Sequence, residues 1–369
     1  MAMASALQVD RARVMAYRVA ALGLAVRGKD RPGDLAVLDL GVQEYTPDST
    51  QVALAARTSA ELTDDRLIMV WAARGAPHLH RRGELHSLMK ALWPVSDADA
   101  SARINSAQIP EGVKLGIAAF TATAKAFRQV VKESMPRGEV STQVSARVPA
   151  ALTYDCRACK ARHIAGNVWQ HSGLAGGIEV EARGKDATLG PIMNLPGPPT
   201  RNEGIGELIV TYLRLLGPAT PVEVAKYFGS APAEIRKVWP EDLAEVAVDG
   251  RKAWLPAAAV PDLKSAKPAP GVRLLPAMDA LLQARDRDLL VPERTRQKEI
   301  WKILGNPGVL LLDGEIAGVW RAKMAGKKRV DLTVTPFGSL PAKARKAVET
   351  EAAEVARARG VPDASVTFA

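Results

Sequence analysis

The residues best suited to chemistry form three groups. Cys156 and Cys159 are separated by two residues, and three more separate the pair from His163. Thiolate and imidazole are the ligands zinc takes, but a closed structural site needs four of them. The sequence offers no second cysteine pair and only His171 nearby, so these are expected to be ordinary cysteines of a reducing compartment, with Lys160, Arg162 and His163 as surface charge. No metal and no cofactor is expected. The second group is basic: Arg236 and Lys237 in one short helical stretch, and Arg321, Lys323, Lys327, Lys328 and Arg329 in a hairpin that either runs along phosphates or is a solvated tip. His80, Arg81, Arg82 and His86 form the third. The chain holds 50 Lys and Arg against 40 Asp and Glu, a formal charge of +10. A polyanionic partner suits that balance, because each phosphate met by Lys or Arg releases a counterion. No glycine-rich phosphate loop precedes a helix, and neither a nucleophile elbow nor a paired metal-ligand helix occurs.

Residues 206–256 supply the elements that would aim such charges. Leu208, Ile209, Tyr212, Leu213 and Leu216 share one helical face, and Gly217-Pro218 ends that helix. Thr220 is placed to cap a second helix with Pro221 at its first position, and Gly229-Ser230 turns the chain into a third, capped by Ser230 and stopped by Pro240. Alternating runs at 244–248 and 252–255, joined by Asp249-Gly250, predict a β-hairpin. Three helices and a hairpin make a winged helix-turn-helix. Its third helix, carrying Arg236 and Lys237, usually enters a DNA groove, although other winged helices bind protein.

Towards the N-terminus, the pattern predicts helices at 8–22, 34–41 and 48–58, the last capped by Thr46 with Pro47 at N1, then a strand at 67–71 and a hairpin around Gly75. A divergent repeat follows: helices at 98–109, 115–132, 139–147 and 167–172, then strands at 178–182 and 187–189 flanking a charged turn. A Pro/Gly connector occupies 191–199, and the Ala/Pro/Lys-rich stretch 256–270 is the expected linker. Beyond it lie strands at 272–275, 309–312, 315–320 and 329–335, with Asp313-Gly314 as a turn, and a helix at 340–360. The expected fold is α+β: tandem winged helix-turn-helix modules at 1–95, 96–199 and 200–260, followed by a β-rich C-terminal domain at 271–369. No long apolar run predicts a membrane span, and residues 1–10 lack the pattern of an export signal. Composition rich in Ala, Arg, Gly and Pro fits a bacterial protein, expected in the cytoplasm and associated with the nucleoid.

Several strings, in this order and spacing, resemble the AlkZ/YcaQ-type winged-helix superfamily of bacterial alkyl-purine DNA glycosylase-like proteins. They are Leu40-Gly-Val-Gln-Glu-Tyr-Thr-Pro47, Trp71-Ala-Ala-Arg-Gly-Ala-Pro-His78, the helix-turn-helix at 207–239, Arg273-Leu-Leu-Pro-Ala-Met-Asp279 and Leu289-Leu-Val-Pro292. Characterised members excise alkylated bases and unhook cross-links. The resemblance implies a Gln-x-Gln or Gln-x-Asp pair in the loop where Gln43 and Tyr45 stand. There the first residue would position water and the second stabilise an oxocarbenium-like sugar. Gln43 keeps the pattern and Tyr45 departs from it: a neutral phenol orients water but accepts poorly from a cation. Glu44 and Asp48 are the carboxylates that could substitute. Arg74 and His78 match an Arg-Gly-Thr-Leu-His string, so the resemblance gives them, with Arg81, a grip on DNA beside Arg236, Lys237, Lys327 and Lys328. Pro77 within that string removes a backbone donor. The expected function is therefore binding of duplex DNA, with base excision weak or absent. The alternative is a non-catalytic transcriptional regulator, or a protein that sequesters a lesion or small molecule. Nothing in the sequence indicates a protein partner.

Overall fold

Asp249 and Gly250 both take positive φ, 46° and 79°, as a two-residue hairpin turn matched to the twist of its strands requires. They close Leu243–Val248 onto Arg251–Pro256, with Val248 opposite Arg251. Leu7–Val9 adds to this sheet in parallel, opposite Val246–Val248. The start of the helix predicted from residue 8 is thus a strand. The helix itself runs Arg11–Ala21, because the Asp10 carboxylate accepts the Arg13 N–H at 2.8 Å and fixes the cap there. The computed structural model describes residues 6–182 and 187–369, so the charged turn predicted between strands at 182–187 lies largely outside the described residues.

Contacts divide the chain into two compact units, the first made of Met1–Asp65, Val210–Thr220 and Glu241–Ala369. Its larger sheet orders Val272–Leu275, Gly308–Leu312, Glu315–Ala325, Arg329–Pro336 and Asp363–Phe368. The first four are antiparallel neighbours and the last lies parallel to Arg329–Pro336. A parallel pair needs a crossover, and helix Ala342–Ala358 supplies it, burying Val348, Ala352 and Val355. Half of the expected linker is also structured: Val260–Ser265 is a helix with Pro261 in its first turn and Leu263 buried against Arg11–Ala21. Two bidentate ion pairs are sealed in this unit, Arg18 with Asp286 at 2.9 and 2.7 Å, and Arg57 with Asp279 at 2.9 Å on both arms.

The second unit comprises Arg66–Ile209 and Pro221–Pro240. Leu67–Trp71 pairs antiparallel with Pro77–Arg81, and Arg74 and Gly75 turn the chain at φ 59° and 66°. Helices Leu85–Leu92, Asp97–Ile104, Ile117–Val130, Arg137–Ser145 and Gly166–Ser172 surround a core in which Phe127 packs at a tilt on Trp169 with centroids 4.4 Å apart and Trp71 meets Trp169 at 5.9 Å. Gly173 lets that core close, since a Cβ there would fall 2.3 Å from Trp71 Cε3. Met135–Pro136, Thr188–Pro191 and Ile178–Ala182 form a small antiparallel sheet, and Thr153–Cys156 pairs with Ala161–Ile164 in a separate hairpin. The helix-turn-helix appears as Pro221–Phe228 and Pro232–Lys237. Ser230 does not cap the latter: Ala231 holds the cap position, and the Ser230 hydroxyl donates to Asp99 at 2.6 Å instead.

Candidate functional site

In the first unit, Val42–Gln43 is a short extended stretch with the Gln43 side chain buried. The loop after it is folded by a serine that sequence reasoning passed over. Ser49 Oγ accepts the Tyr45 N–H at 2.9 Å and the Thr46 N–H at 3.3 Å, looping the chain onto the start of helix Ser49–Ala55. That replaces the predicted Thr46-Pro47 cap: Asp48 occupies the cap position in a left-handed conformation, φ 64°, and makes no side-chain capping bond. Asp48 instead lies near Arg359: burial lowers that guanidinium, and the Asp48 carboxylate opposes the shift. Glu44 turns to the same helix, its carboxylate accepting from Thr50 Oγ1 at 2.9 Å and Thr50 N at 3.4 Å. An acid at a helix N-terminus is stabilised where it stands, so Glu44 has a structural task. The Tyr45 phenol oxygen accepts the backbone N–H of Asn306 at 3.3 Å. That contact spans 261 positions; no local pattern could have revealed it. Lys327 and Lys328 are exposed at the turn between Glu315–Ala325 and Arg329–Pro336.

In the second unit the expected DNA contacts separate. His78 and His80 are fully buried, because side chains alternate along Pro77–Arg81 and these two occupy its inward positions, opposite Val70 and Ile68. His78 was expected either to contact DNA or to be a simple turn histidine; in this structure its ring is buried. Its Nδ1 donates to the Ala76 carbonyl at 2.8 Å, Nε2 has no hydrogen-bond partner among the described residues, and burial, then the charge of Arg74, hold the ring neutral. Arg74 donates to the Tyr227 carbonyl and lies over the Tyr227 ring, 4.9 Å from its centroid, so it ties the hairpin turn to the end of helix Pro221–Phe228. Arg81 pairs with Glu84 at 3.0 Å. Arg236 is exposed, and Lys237 is exposed while reaching Glu234 at 2.7 Å. On the Thr153–Cys156 hairpin, the Cys156 thiol is lowered to about 6, chiefly by the Cys159 backbone and then by His163, while the neighbouring Cys156 raises Cys159. His171, the other nearby imidazole, is half-buried and packs on Phe120 with centroids 6.2 Å apart.

Mixed helices and sheets, winged hairpins after short helices and a C-terminal β domain define the class: a tandem winged-helix protein. A solved structure, the Streptomyces sahachiroi DNA glycosylase AlkZ, has this architecture and superposes with a TM-score of 0.73 over 98% of this chain and 100% of that one, at 23% identity. The family model described as DNA glycosylase AlkZ-like matches residues 37–358, and the chain belongs to that family. A curated relative, the interstrand DNA cross-link repair glycosylase of Streptomyces sahachiroi, is 33% identical over 174 residues. That match covers 44% of this chain and 45% of the relative, so the chain spans a little under half of the relative's length. Among the described residues, no helix is long and apolar enough to cross a membrane.

Proposed function

We propose that the protein binds duplex DNA in the bacterial cytoplasm and hydrolyses the N-glycosidic bond of alkylated purines, slowly, with Gln43 orienting the water. Water adds to the sugar C1′ as the C1′–N bond breaks; the cationic alkylated base departs neutral with the bonding electrons, and the proton shed by the water passes to solvent. The observation that carries the reading is the loop itself. Gln43 is buried at its start and Ser49 and Asn306 hold Tyr45 two residues on, in a chain whose family is that of DNA glycosylases. The slowness follows from Tyr45. Its phenol oxygen already accepts one N–H, and a neutral phenol stabilises a developing cation less than a carboxylate does. Exposed Arg236, Lys237, Lys327 and Lys328 serve as phosphate contacts, whereas Arg74 and Arg81 shape the turn and hairpin they sit on. A second reading, binding without cutting, gains support from Glu44, whose carboxylate is engaged by Thr50.

Single-turnover release of base from a duplex containing N7-alkylated guanine tests the proposal. Wild-type protein should release the base above the spontaneous rate, and Gln43→Ala should lower the rate by about 10²–10³, the usual effect of losing one well-aimed polar group. Wild-type release no faster than spontaneous loss, with binding intact, would favour the second reading.

A further inference from the structure

The hairpin of Thr153–Cys156 and Ala161–Ile164 plays no part in the reading above. Its register sets Tyr154 opposite His163 and Cys156 opposite Ala161. Residues paired across strands project to the same side and side chains alternate along each strand, so Tyr154, Cys156, Ala161 and His163 share one face. Lys160 closes the turn at φ 51°, and Cys159 lies within the turn. The result is a cluster: ligand atoms of Cys156, Cys159 and His163 all lie within 4.8 Å of one another.

The imidazole is also oriented as a metal ligand would be. His163 Nδ1 lies 2.9 Å from the Ile164 carbonyl oxygen, and a carbonyl only accepts, so Nδ1 carries a proton and Nε2 is the nitrogen left to ligate a metal once the ring is neutral. Metal-bound histidines nearly always donate their second nitrogen in this way, which fixes tautomer and orientation together. Tyr154 packs edge-on against the ring, centroids 4.9 Å apart, and limits its rotation. Both cysteines are free thiols.

The sequence argued against a metal because no fourth ligand stands nearby. A closed structural site does need that fourth ligand. Zinc also takes three protein ligands, Cys2His among them, with water in the fourth position. Room for that water exists, since Cys159 and His163 line a cavity of about 620 Å³ whose walls include Arg137, Ser141 and Trp169. We propose that Cys156, Cys159 and His163 bind one zinc ion, with a water molecule from this cavity as the fourth ligand. Two thiolates favour zinc over magnesium or calcium, which select oxygen. The bound ion ties the turn at 157–160 to the strand after it and holds the exposed Arg157, Lys160 and Arg162 on a fixed scaffold.

The test uses the full chain, kept reduced, reconstituted with zinc chloride and dialysed into metal-free buffer before elemental analysis by plasma mass spectrometry. The expected content is about one zinc per chain. Cys156→Ser and His163→Gln should each weaken zinc affinity at least tenfold in a competition titration with a chromophoric chelator. Titrating metal-free wild type with cobalt(II) keeps the test independent of whether the variants fold: a site with two thiolates gives thiolate-to-metal charge-transfer absorption and intense tetrahedral d–d bands. Wild type that retains no zinc and gives only weak octahedral cobalt bands would overturn the proposal. So would zinc retained undiminished in both variants.

Discussion

Asp279 closes the resembling string at 273–279, yet its role in the structure is mechanical, and Asp279→Ala tests that. Both arms of the Arg57 guanidinium meet its carboxylate at 2.9 Å, and the two side chains are 1% and 0% exposed. Arg57 also donates to the Leu22 carbonyl at 2.8 Å and the Ala53 carbonyl at 2.7 Å, and Asp279 accepts the Leu281 N–H at 3.0 Å. Removing the carboxylate strands a buried cation and uncovers the Leu281 donor. Breaking one side of a buried pair costs roughly 3–5 kcal/mol. Two carbonyls remain on Arg57, so the expected loss lies near the lower end, about 3 kcal/mol, a large share of the ~5–15 kcal/mol that holds a typical domain. Asp279→Asn keeps the shape and one acceptor and should lose less. Urea unfolding followed by tryptophan fluorescence reads both, as a lower midpoint at unchanged slope for the transition of this unit. The effect reaches the loop because Arg57 follows helix Ser49–Ala55, whose first residue folds Gln43–Tyr45. A loss under about 1 kcal/mol for Asp279→Ala would refute the reasoning, since no buried charge could then have been left unpaired.

Further outcomes follow from the same geometry. Arg236→Ala and Lys328→Ala should each weaken duplex binding across sequences and make log Kd against log salt shallower by about one ion per contact, as fluorescence anisotropy from low to physiological salt would show; unchanged slopes in both would remove these residues from the interface. Burial, with Arg81 for His80 and Arg103 for His171, lowers each of these histidines to about 3. Unfolded histidine titrates near ~6.5, so between those values the unfolded chain binds the extra protons: the stability they give is complete above about pH 6.5 and is lost as pH falls towards 3. His80→Gln should flatten that acid slope by about 1.4 kcal/mol per pH unit, measured by urea titrations at pH 6.5 and 5, and an unaltered slope would contradict a buried neutral ring.

The parts of the fold most legible in the sequence are those that local chemistry decides. Asp249-Gly250 and Asp313-Gly314 announced their hairpins because only a few residues accept positive φ at both positions. Pro221 and the apolar faces of the helices near it were equally plain. What the sequence concealed depends on pairing at a distance. The strand Asp363–Phe368 lies parallel to a neighbour more than twenty residues earlier, and Leu7–Val9 finds its partner across the chain. The alternation at 77–81 was readable, but not which face would be covered, so the burial of His78 and His80 was not. Gln43 and Tyr45 stood out only through resemblance. Asn306, which touches the Tyr45 phenol, had no signal at all. The Cys156 and Cys159 pair was visible at once, whereas the approach of His163 rests on the strand register that sets it opposite Tyr154.

The central claim is a glycosylase slowed by the residue at its second loop position, and one rate comparison tests it. Wild type, Tyr45→Asp and Tyr45→Phe are compared under single-turnover conditions on the same duplex carrying N7-alkylguanine, with binding measured alongside. Tyr45→Asp restores a carboxylate at the second loop position, set back from where the phenol oxygen now meets the Asn306 N–H. The account predicts that Tyr45→Asp cleaves faster than wild type by at least tenfold, that Tyr45→Phe stays within a few-fold of wild type, and that binding hardly changes. Rapid excision by wild type that Tyr45→Phe abolishes would contradict it, because the phenol would then itself be catalytic.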